Sequence, residues 1–233
     1  MKYLSLYFDA GPLQSWGYGS YKKNRTTKLF PTQSAVTGMI CAASGNYINR
    51  VGVNKSKRYL KKINEGKFYS LSFNKNDIMT DFQTIGTNYV NDQIYKADSK
   101  PHNSTVIVLK QYLENGVSGC IIEYEDEDFL NEIVDSLKSP LSSLGIGRSC
   151  CLPASPIFNS IDNSLKDAFL SLVDRVNLTR KTIQIIDDSI IKMVSPSING
   201  SPINDVMVGH QKFASRLVVE EDRTLTKWKE KLN

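Results

Sequence analysis

Two parts of the chain repeat the same order of elements, a strand followed by a helix. The first strand is predicted at residues 2–8 and its helix from Thr32 or Gln33 to about residue 44, closed by a glycine. The second strand is predicted at 118–124 and its helix near 128–138, and a further alternating strand at 67–73. Such units bury one face of each helix on a shared sheet. The pattern predicts an α+β fold with a ferredoxin-like (RRM-like) arrangement.

A polar insertion separates the two halves, over roughly residues 80–113. Its middle is poor in core residues and its last part alternates, which predicts a projecting β-hairpin better than a compact loop. We expect a first domain over residues 1–158 and a β-rich C-terminal extension over 159–233 that packs on it. For the extension we expect a helix at about 164–176 and short strands at 183–186, 190–194 and 206–208.

The positive charge of the chain is concentrated near its N-terminus. Residues 10–64 contain ten Lys and Arg and no Asp or Glu. Because the net charge is +5 and this segment contributes +10, the rest of the chain sums to −5. A single-sign segment of this length attracts polyanions. Its amide, tryptophan and hydroxyl residues suit RNA better than a membrane, and a solvated basic face is the alternative. For the run at 55–62 (KSKRYLKK) we expect a solvated helix face, and the alternative is a secondary contact to nucleic acid.

Cysteine and histidine usage argues against a metal or cofactor site. Cys41, Cys120, Cys150 and Cys151 show no CxxC spacing, and there are only two histidines. We therefore expect reduced, mostly buried thiols in a cytosolic, cytoplasmic protein with no cofactor and no metal. The chain has no apolar run of about 18 residues, so no membrane span or membrane partner is indicated.

The first segment suited to RNA contact is Gly-Pro-Leu-Gln-Ser-Trp-Gly, directly after the first strand. The glycine and proline favour a turn, Gln14 and Ser15 can hydrogen-bond base edges or sugar hydroxyls, and Trp16 offers a stacking plane. The alternative for Trp16 is a core anchor, which is the common position of a lone tryptophan.

The second segment runs from Arg25 through Lys28 into the first predicted helix. Basic side chains here precede a helix N-terminus, whose unpaired N–H groups favour phosphate. Thr32 and Ser34 can either cap that helix or bond phosphate oxygens, and capping is expected for one of them.

The third segment is the glycine-rich turn after the second helix. Gly145 and Gly147 allow backbone N–H groups to approach a phosphate, and Arg148 supplies a planar fork of donors beside Ser149. The alternative is an ordinary turn between a helix and a strand.

These segments occur in one order along the chain. GPLQSWG comes first, followed by R-x-x-x-x-FPT-x-S-x-x-x-G, then G-x-GRSCC-x-P-x-x-P, and finally Gly209-His210 with FASR ending at Arg216. In this order the chain resembles the CasD family, the Cascade subunit of type I-E CRISPR systems within the RAMP superfamily. The resemblance extends from Met1 to about Val219.

The resemblance implies a ferredoxin-like RAMP domain with an inserted β-hairpin thumb, here residues 80–113, and a C-terminal extension. It implies a non-catalytic protein that grips the 5′ handle of the CRISPR RNA, caps the filament of CasC backbone subunits, helps to dock the large CasA subunit and meets target DNA indirectly. The implied RNA contacts include residues of the three segments, of the thumb and of the C-terminal motif. They are Gln14, Ser15, Arg25, Lys28, Thr32, Ser34, Arg148 and Ser149; Tyr89, Tyr95, Lys96, Lys100 and Lys110; and His210, Lys212 and Arg216.

Two other functions stay open. A relative of the family in type I-C systems cuts repeat RNA without a metal, and Tyr95, Lys96 and His102 could supply the base and the cation for such an endoribonuclease. The second alternative is a scaffold held by protein–protein contacts, in which the acidic residues 123–128 (EYEDED) face a basic partner.

Overall fold

A computed structural model describes residues 1–9, 11–17, 24–85, 106–180, 182–209 and 212–233. These residues form a mixed α+β fold whose paired strands are antiparallel, except for one parallel pair, β4 with β8. The strands are β1 (Lys2–Asp9), β2 (Leu13–Gln14), β3 (Trp16–Gly17), β4 (Asn24–Arg25), β5 (Thr27–Lys28), β6 (Lys67–Ser72), β7 (Asp77–Ile85), β8 (Val106–Glu114), β9 (Val117–Tyr124), β10 (Phe158–Asp162), β11 (Ile190–Gly209) and β12 (Lys212–Thr224). The helices are α1 (Gln33–Ser44), α2 (Ile48–Val51), α3 (Val53–Asn64), α4 (Glu127–Lys138), α5 (Leu165–Thr179) and α6 (Leu225–Lys231).

The main sheet has six antiparallel strands in the order β10-β1-β9-β6-β11-β12. Strand β1 lies inside it and pairs along its whole length with β9. Its residues alternate between two cores, because Leu4 and Leu6 pack on one face and Tyr7 on the other. This alternation is the one that the sequence of the strand predicts.

Helices α1 and α4 cover the first face of the sheet and contact each other. Helix α1 ends at Gly45, whose φ of 69° is left-handed and favours glycine. Helix α4 begins after Asp126, whose carboxylate accepts a hydrogen bond of 2.9 Å from the Phe129 N–H. Both helices lie where the sequence predicts them, with starts that differ from the expected ones by no more than one residue.

Helices α5 and α6 cover the opposite face. Helix α5 begins after Ser164, as predicted, and buries Phe169 against the sheet. The Trp228 indole N–H of α6 donates a 2.9 Å hydrogen bond to the Ile191 carbonyl of β11. Since both faces of the sheet are covered, a large ligand has to meet the loops and edges instead. No helix in the described part of the chain is long and apolar enough to cross a membrane.

Strands β7 and β8 form the two arms of a hairpin, in register from Asp77↔Glu114 to Ile85↔Val106. The sequence predicts a hairpin over roughly 80–113, and its arms are confirmed within the described residues. Residues 86–105 between the arms lie outside the described residues.

The C-terminal part differs from the sequence expectation at two places. The strand predicted at 183–186 is absent, because the Asn177 side chain takes both the N–H and the carbonyl of Ile185. The short strands predicted at 190–194 and 206–208 are parts of one long strand, β11, which pairs with β12. The expected domain boundary at residue 158 falls at the first residue of β10, and chain on both sides of it contributes strands to the same sheet.

Candidate nucleic-acid interface

The three motif segments meet at one groove beside α1, with a volume of about 370 Å³. We call it the α1 groove. Its walls come from the outer face of α1, the glycine-rich turn, the end of β3 and the tip of the β11–β12 hairpin. The lining residues are Gly17, Ser34, Ala35, Gly38, Met39, Ala42, Ser143, Gly145, Gly147, Ser149, Met207 and Phe213.

The turn at residues 144–151, here the glycine loop, is held against the GPLQSWG segment. Gly147 has a φ of 82°, and a Cβ atom at this position would overlap the carbonyl oxygen of Ser15. The Ser15 N–H in turn donates a 3.2 Å hydrogen bond to the carbonyl of Ile146. Only glycine permits this close backbone approach. The glycine at 147 therefore brings together two motifs whose contacting residues, Ser15 and Gly147, are 132 positions apart in the sequence.

Arg148 connects the glycine loop to two strands. Its guanidinium donates hydrogen bonds to the carbonyls of Gln111 in β8 (3.1 Å) and Arg25 in β4 (2.9 Å). The same group lies over the ring of Tyr112, 4.7 Å from the centroid. These contacts position the loop, so the structure gives Arg148 a structural role in addition to the phosphate contact that the sequence predicts.

Gln14, Ser15 and Trp16 lie in the core, each with 0% of its surface exposed. The Trp16 indole N–H and the Ser118 hydroxyl both donate to the Gln14 amide oxygen. Trp16 also packs edge-on against Phe8, with 5.1 Å between the ring centroids. Trp16 therefore has the core position that the sequence analysis gave as the alternative to a stacking plane. Direct RNA contact by these side chains would require them to leave the core, and it stays an untested prediction.

The N-terminus of α1 is already occupied by a carboxylate. Asp205 of β11, only 1% exposed, accepts a 2.9 Å hydrogen bond from the Gln33 N–H. Thr32 stands at the N-cap but its side chain makes no capping hydrogen bond. A buried carboxylate at this position satisfies the helix dipole that would otherwise attract a phosphate. Thr32 is buried as well, and Ser34, which lines the groove, is only 9% exposed and donates a 3.5 Å hydrogen bond to the Thr32 hydroxyl.

The predicted basic contacts are spread over several places. Arg25 and Lys212 have exposed side chains, and Lys110 of β8 donates a 2.5 Å hydrogen bond to Gln83 of β7. Lys28 lines a different cavity of about 500 Å³ against the β11–β12 hairpin, not the α1 groove. The Arg216 side chain is 12% exposed and is paired with Asp205. Tyr89, Tyr95, Lys96, Lys100 and His210 lie outside the described residues, as does His102 of the nuclease alternative.

Neither cysteine of the glycine loop is among the described residues that line the α1 groove. Burial raises the pKa of the Cys151 thiol to about 12, so this thiol stays protonated at neutral pH. Cys41 and Cys120 are buried as well, as expected, whereas Cys150 is exposed. All four are free thiols.

Two groove residues that are not among the predicted contact residues come from the β11–β12 hairpin. Met207 and Phe213 form its apolar side, and Phe213 is 39% exposed. Sequence reasoning also missed Asp205, since a single aspartate in a β-rich segment carries no pattern. Phe213 belongs to the FASR motif, which was the one available signal.

The comparisons with known proteins agree with this picture. A family model described as "CRISPR-associated protein (Cas_Cas5)" matches residues 9–206. Among solved structures, a chain titled "CRISPR RNA-guided surveillance complex" is 19% identical with a TM-score of 0.70, and covers 95% of this chain and 90% of its own length. Another, titled "Crystal structure of Cas protein", is 19% identical with a TM-score of 0.65, and covers 95% of both chains. Among curated proteins, none matches the sequence significantly. The match over residues 9–206 shows that the chain belongs to the CRISPR-associated Cas5 family.

Proposed function

We propose that this chain is the non-catalytic RNA-binding subunit of a type I-E Cascade complex, the CasD subunit, and that it grips the 5′ handle of the CRISPR RNA at the α1 groove. The observation that carries the proposal is the meeting of the motif segments at one groove. Residues that are far apart in the sequence line one surface there, which is what recognition of a short RNA segment requires. The likeness to a chain from an RNA-guided surveillance complex supports the same assignment.

The connectivity of the main sheet supports the ferredoxin-like part of the proposal. Along the chain, α1 lies between β1 and β6, and α4 lies between β9 and β10. In the sheet the four strands have the order β10-β1-β9-β6. A ferredoxin-like unit has the same split βαβ order, which is why the sheet supports this part of the proposal. The β7–β8 arms, inserted between β6 and β9, then correspond to the base of the thumb.

At the groove, recognition would combine hydroxyl groups with one apolar wall. Ser34, Ser143 and Ser149 line it and can bond phosphate oxygens or 2′-hydroxyls. Phe213 on the opposite wall offers a face on which a splayed base can stack. Arg25, exposed on β4 beside the glycine loop, can neutralise a phosphate.

The thumb arms supply a surface for the proposed CasC and CasA contacts. Ile78 and Phe82 of β7 lie on one face of the arms, and Ile107 of β8 lies on the same face beside Thr84. All three are largely exposed, Phe82 by 61%. Exposed large apolar side chains on one face favour a protein partner. The α1 groove and the thumb arms would meet target DNA only indirectly, through the assembled complex.

The test is to tag this chain, purify it from cells that express its neighbouring genes, and determine the ends of the co-purifying RNA. We expect one repeat-derived 5′ end shared by many different guides, together with CasC- and CasA-type subunits. RNA with random ends, or no RNA, would overturn the handle-binding proposal. Specific metal-independent cleavage of repeat RNA by the purified chain would favour the nuclease alternative instead.

A variant of Phe213 tests whether the α1 groove is the binding site. A stacked base contributes about 1–3 kcal/mol, so Phe213→Ala should weaken handle binding by roughly 5- to 150-fold. Leu217→Ala is the matched control, because Leu217 is also exposed on β12 but does not line the groove. Equal RNA affinity of both variants and the wild-type chain would exclude base stacking at this wall.

A further inference from the structure

Helix α3 carries a second basic surface, separate from the α1 groove. It packs on the protein through Ser56, Leu60 and Ile63. Its basic residues point away from these positions, as predicted for the run at 55–62. The exposed cations, which we call the α3 basic face, are Lys55, Lys57, Arg58 and Lys61.

The α3 basic face has no carboxylate partners among the described residues. In the described part of the chain, Lys62 is the residue of this helix that forms an ion pair. Its amine lies 3.0 Å from the Asp126 carboxylate and over the ring of Phe129. Lys62 and Asp126 thereby offset each other's charge on the side toward α4. The four cations of the α3 basic face have no ion-pair partner among the described residues. Adjacent like charges repel one another, so such a face is stabilised when an anionic surface covers it.

We propose that the α3 basic face binds the phosphate backbone of a DNA duplex, without reading its sequence. The face contains Lys and Arg but no exposed aromatic residue, since Tyr59 is half-buried with its ring edge-on to Phe129. Single strands are held by basic grooves with stacking aromatics, whereas a duplex keeps its bases inside and offers only phosphates to such a convex surface. The 12 residues of α3 span about 18 Å, long enough to follow a duplex backbone past several phosphates.

The composition of α3 disfavours a lipid surface. Membrane-surface helices insert an apolar face beside the basic one. The apolar face of α3 is turned into the protein, where Leu60 and Ile63 are buried. Apart from Val53 and Asn54 in its first turn, what remains exposed is mainly charge, which suits a rigid array of phosphates.

The position of α3 relates this surface to the RNA site. The Asn64 side-chain amide, at the C-terminal end of α3, donates a 2.8 Å hydrogen bond to the carbonyl of Met207, which lines the α1 groove. A duplex on α3 would therefore lie beside the groove without entering it. The inference goes beyond the proposed function, and duplex binding can be measured whether or not the groove holds RNA.

The experiment compares the full-length chain with a variant in which Lys55, Lys57, Arg58 and Lys61 are changed to Gln. Binding to a labelled double-stranded DNA of arbitrary sequence is measured over a series of salt concentrations. Each lost phosphate contact lowers the slope of log affinity against log salt by about 0.9, so four lost contacts lower it by roughly 3 to 4. The charge-matched control changes Lys75, Lys138, Lys166 and Lys227 to Gln, and we expect its slope to stay close to that of the wild type.

Three outcomes would overturn the inference. Both variants could bind the duplex with the wild-type slope, which would make α3 a solvated face only. The α3 variant could instead lose binding to vesicles that contain phosphatidylserine while duplex binding stays unchanged, which would identify a lipid surface. It could also lose its co-purifying guide RNA with duplex binding intact, which would assign α3 to the guide. A wild-type chain that carries no guide RNA but binds duplex through α3 would contradict the proposed function and leave this inference standing.

Discussion

Arg216 and Asp205 form a two-point ion pair between β11 and β12, with nitrogen–oxygen distances of 2.8 and 3.1 Å. Asp205 also accepts the N–H at the start of α1, and Arg216 also donates to the Phe68 carbonyl of β6. The pair thus ties the long hairpin to both the sheet and α1. Because the tip of this hairpin supplies Met207 and Phe213, the pair also positions one wall of the α1 groove.

Breaking this pair should destabilise the protein strongly. Arg216→Ala leaves the nearly fully buried Asp205 carboxylate without its cation, a change that typically costs about 3–5 kcal/mol. Urea unfolding at neutral pH measures it. The control is Arg223→Ala, which removes a more exposed arginine of the same strand from Glu221 and should cost at most about 1 kcal/mol. Similar losses in both variants would mean that the buried pair contributes no more than a surface pair.

Replacing Gly147 should damage the groove. In Gly147→Ala the new Cβ overlaps the Ser15 carbonyl at a left-handed φ, so the glycine loop has to move. We expect a loss of stability of at least about 1–3 kcal/mol, together with loss of the co-purifying RNA. Gly17→Ala is the matched control, because Gly17 lines the same groove and a Cβ there meets no atom within 4 Å. Wild-type stability of Gly147→Ala would show that the loop adapts without cost.

Arg25 and Arg148 should give different results on substitution. The Arg25 side chain is exposed and its hydrogen bond with Arg148 uses only its backbone carbonyl, so Arg25→Ala should keep the fold. We expect the slope of log affinity against log salt, measured with single-stranded handle RNA, to be smaller by about 0.7 for Arg25→Ala, the value for one phosphate contact. Arg148→Ala removes the links to β8 and β4 and should lower thermal stability as well. An unchanged slope for Arg25→Ala would remove this residue from the site.

Alkaline pH should destabilise the fold through its buried thiols. Burial raises the pKa of Cys41 to about 12, whereas an unfolded cysteine titrates near about 8.5. The stabilisation is complete below the unfolded value and is lost as pH rises toward 12, because only the unfolded chain releases the proton. The free energy of unfolding should fall by about 1.4 kcal/mol per pH unit for this group.

Urea unfolding between pH 9 and about 11, under reducing conditions, measures this slope. Cys41→Ala should remove the contribution of this one thiol to the slope. Met39→Ala, which changes a buried residue of the same helix that does not titrate, should leave the slope unchanged. If Cys41→Ala and the wild-type chain lost stability in parallel, the Cys41 thiol would have no part in the alkaline effect.

The amino-acid sequence by itself determined the local elements, because these depend on periodicity and end signals. Alternation placed β1 and β9, and a 3.6-residue period with a capping aspartate and a closing glycine placed α1 and α4. The sequence order also identified the segments that line the groove. It failed at Ile185, where a side-chain amide from α5 takes the backbone groups that a strand would have used.

Only the tertiary structure decided which of the motif residues face a ligand. Gln14, Ser15 and Trp16 are polar or aromatic enough to bind RNA, yet all three are fully buried. The Trp16 ring packs on Phe8 and donates to Gln14, and Gly147 packs on the backbone of Ser15 and Trp16. The N-terminus of α1 could attract phosphate, yet a carboxylate from β11, more than 170 residues later, fills it. Burial and long-range pairing depend on which distant segments contact each other. The residue pattern of one segment alone does not specify those contacts.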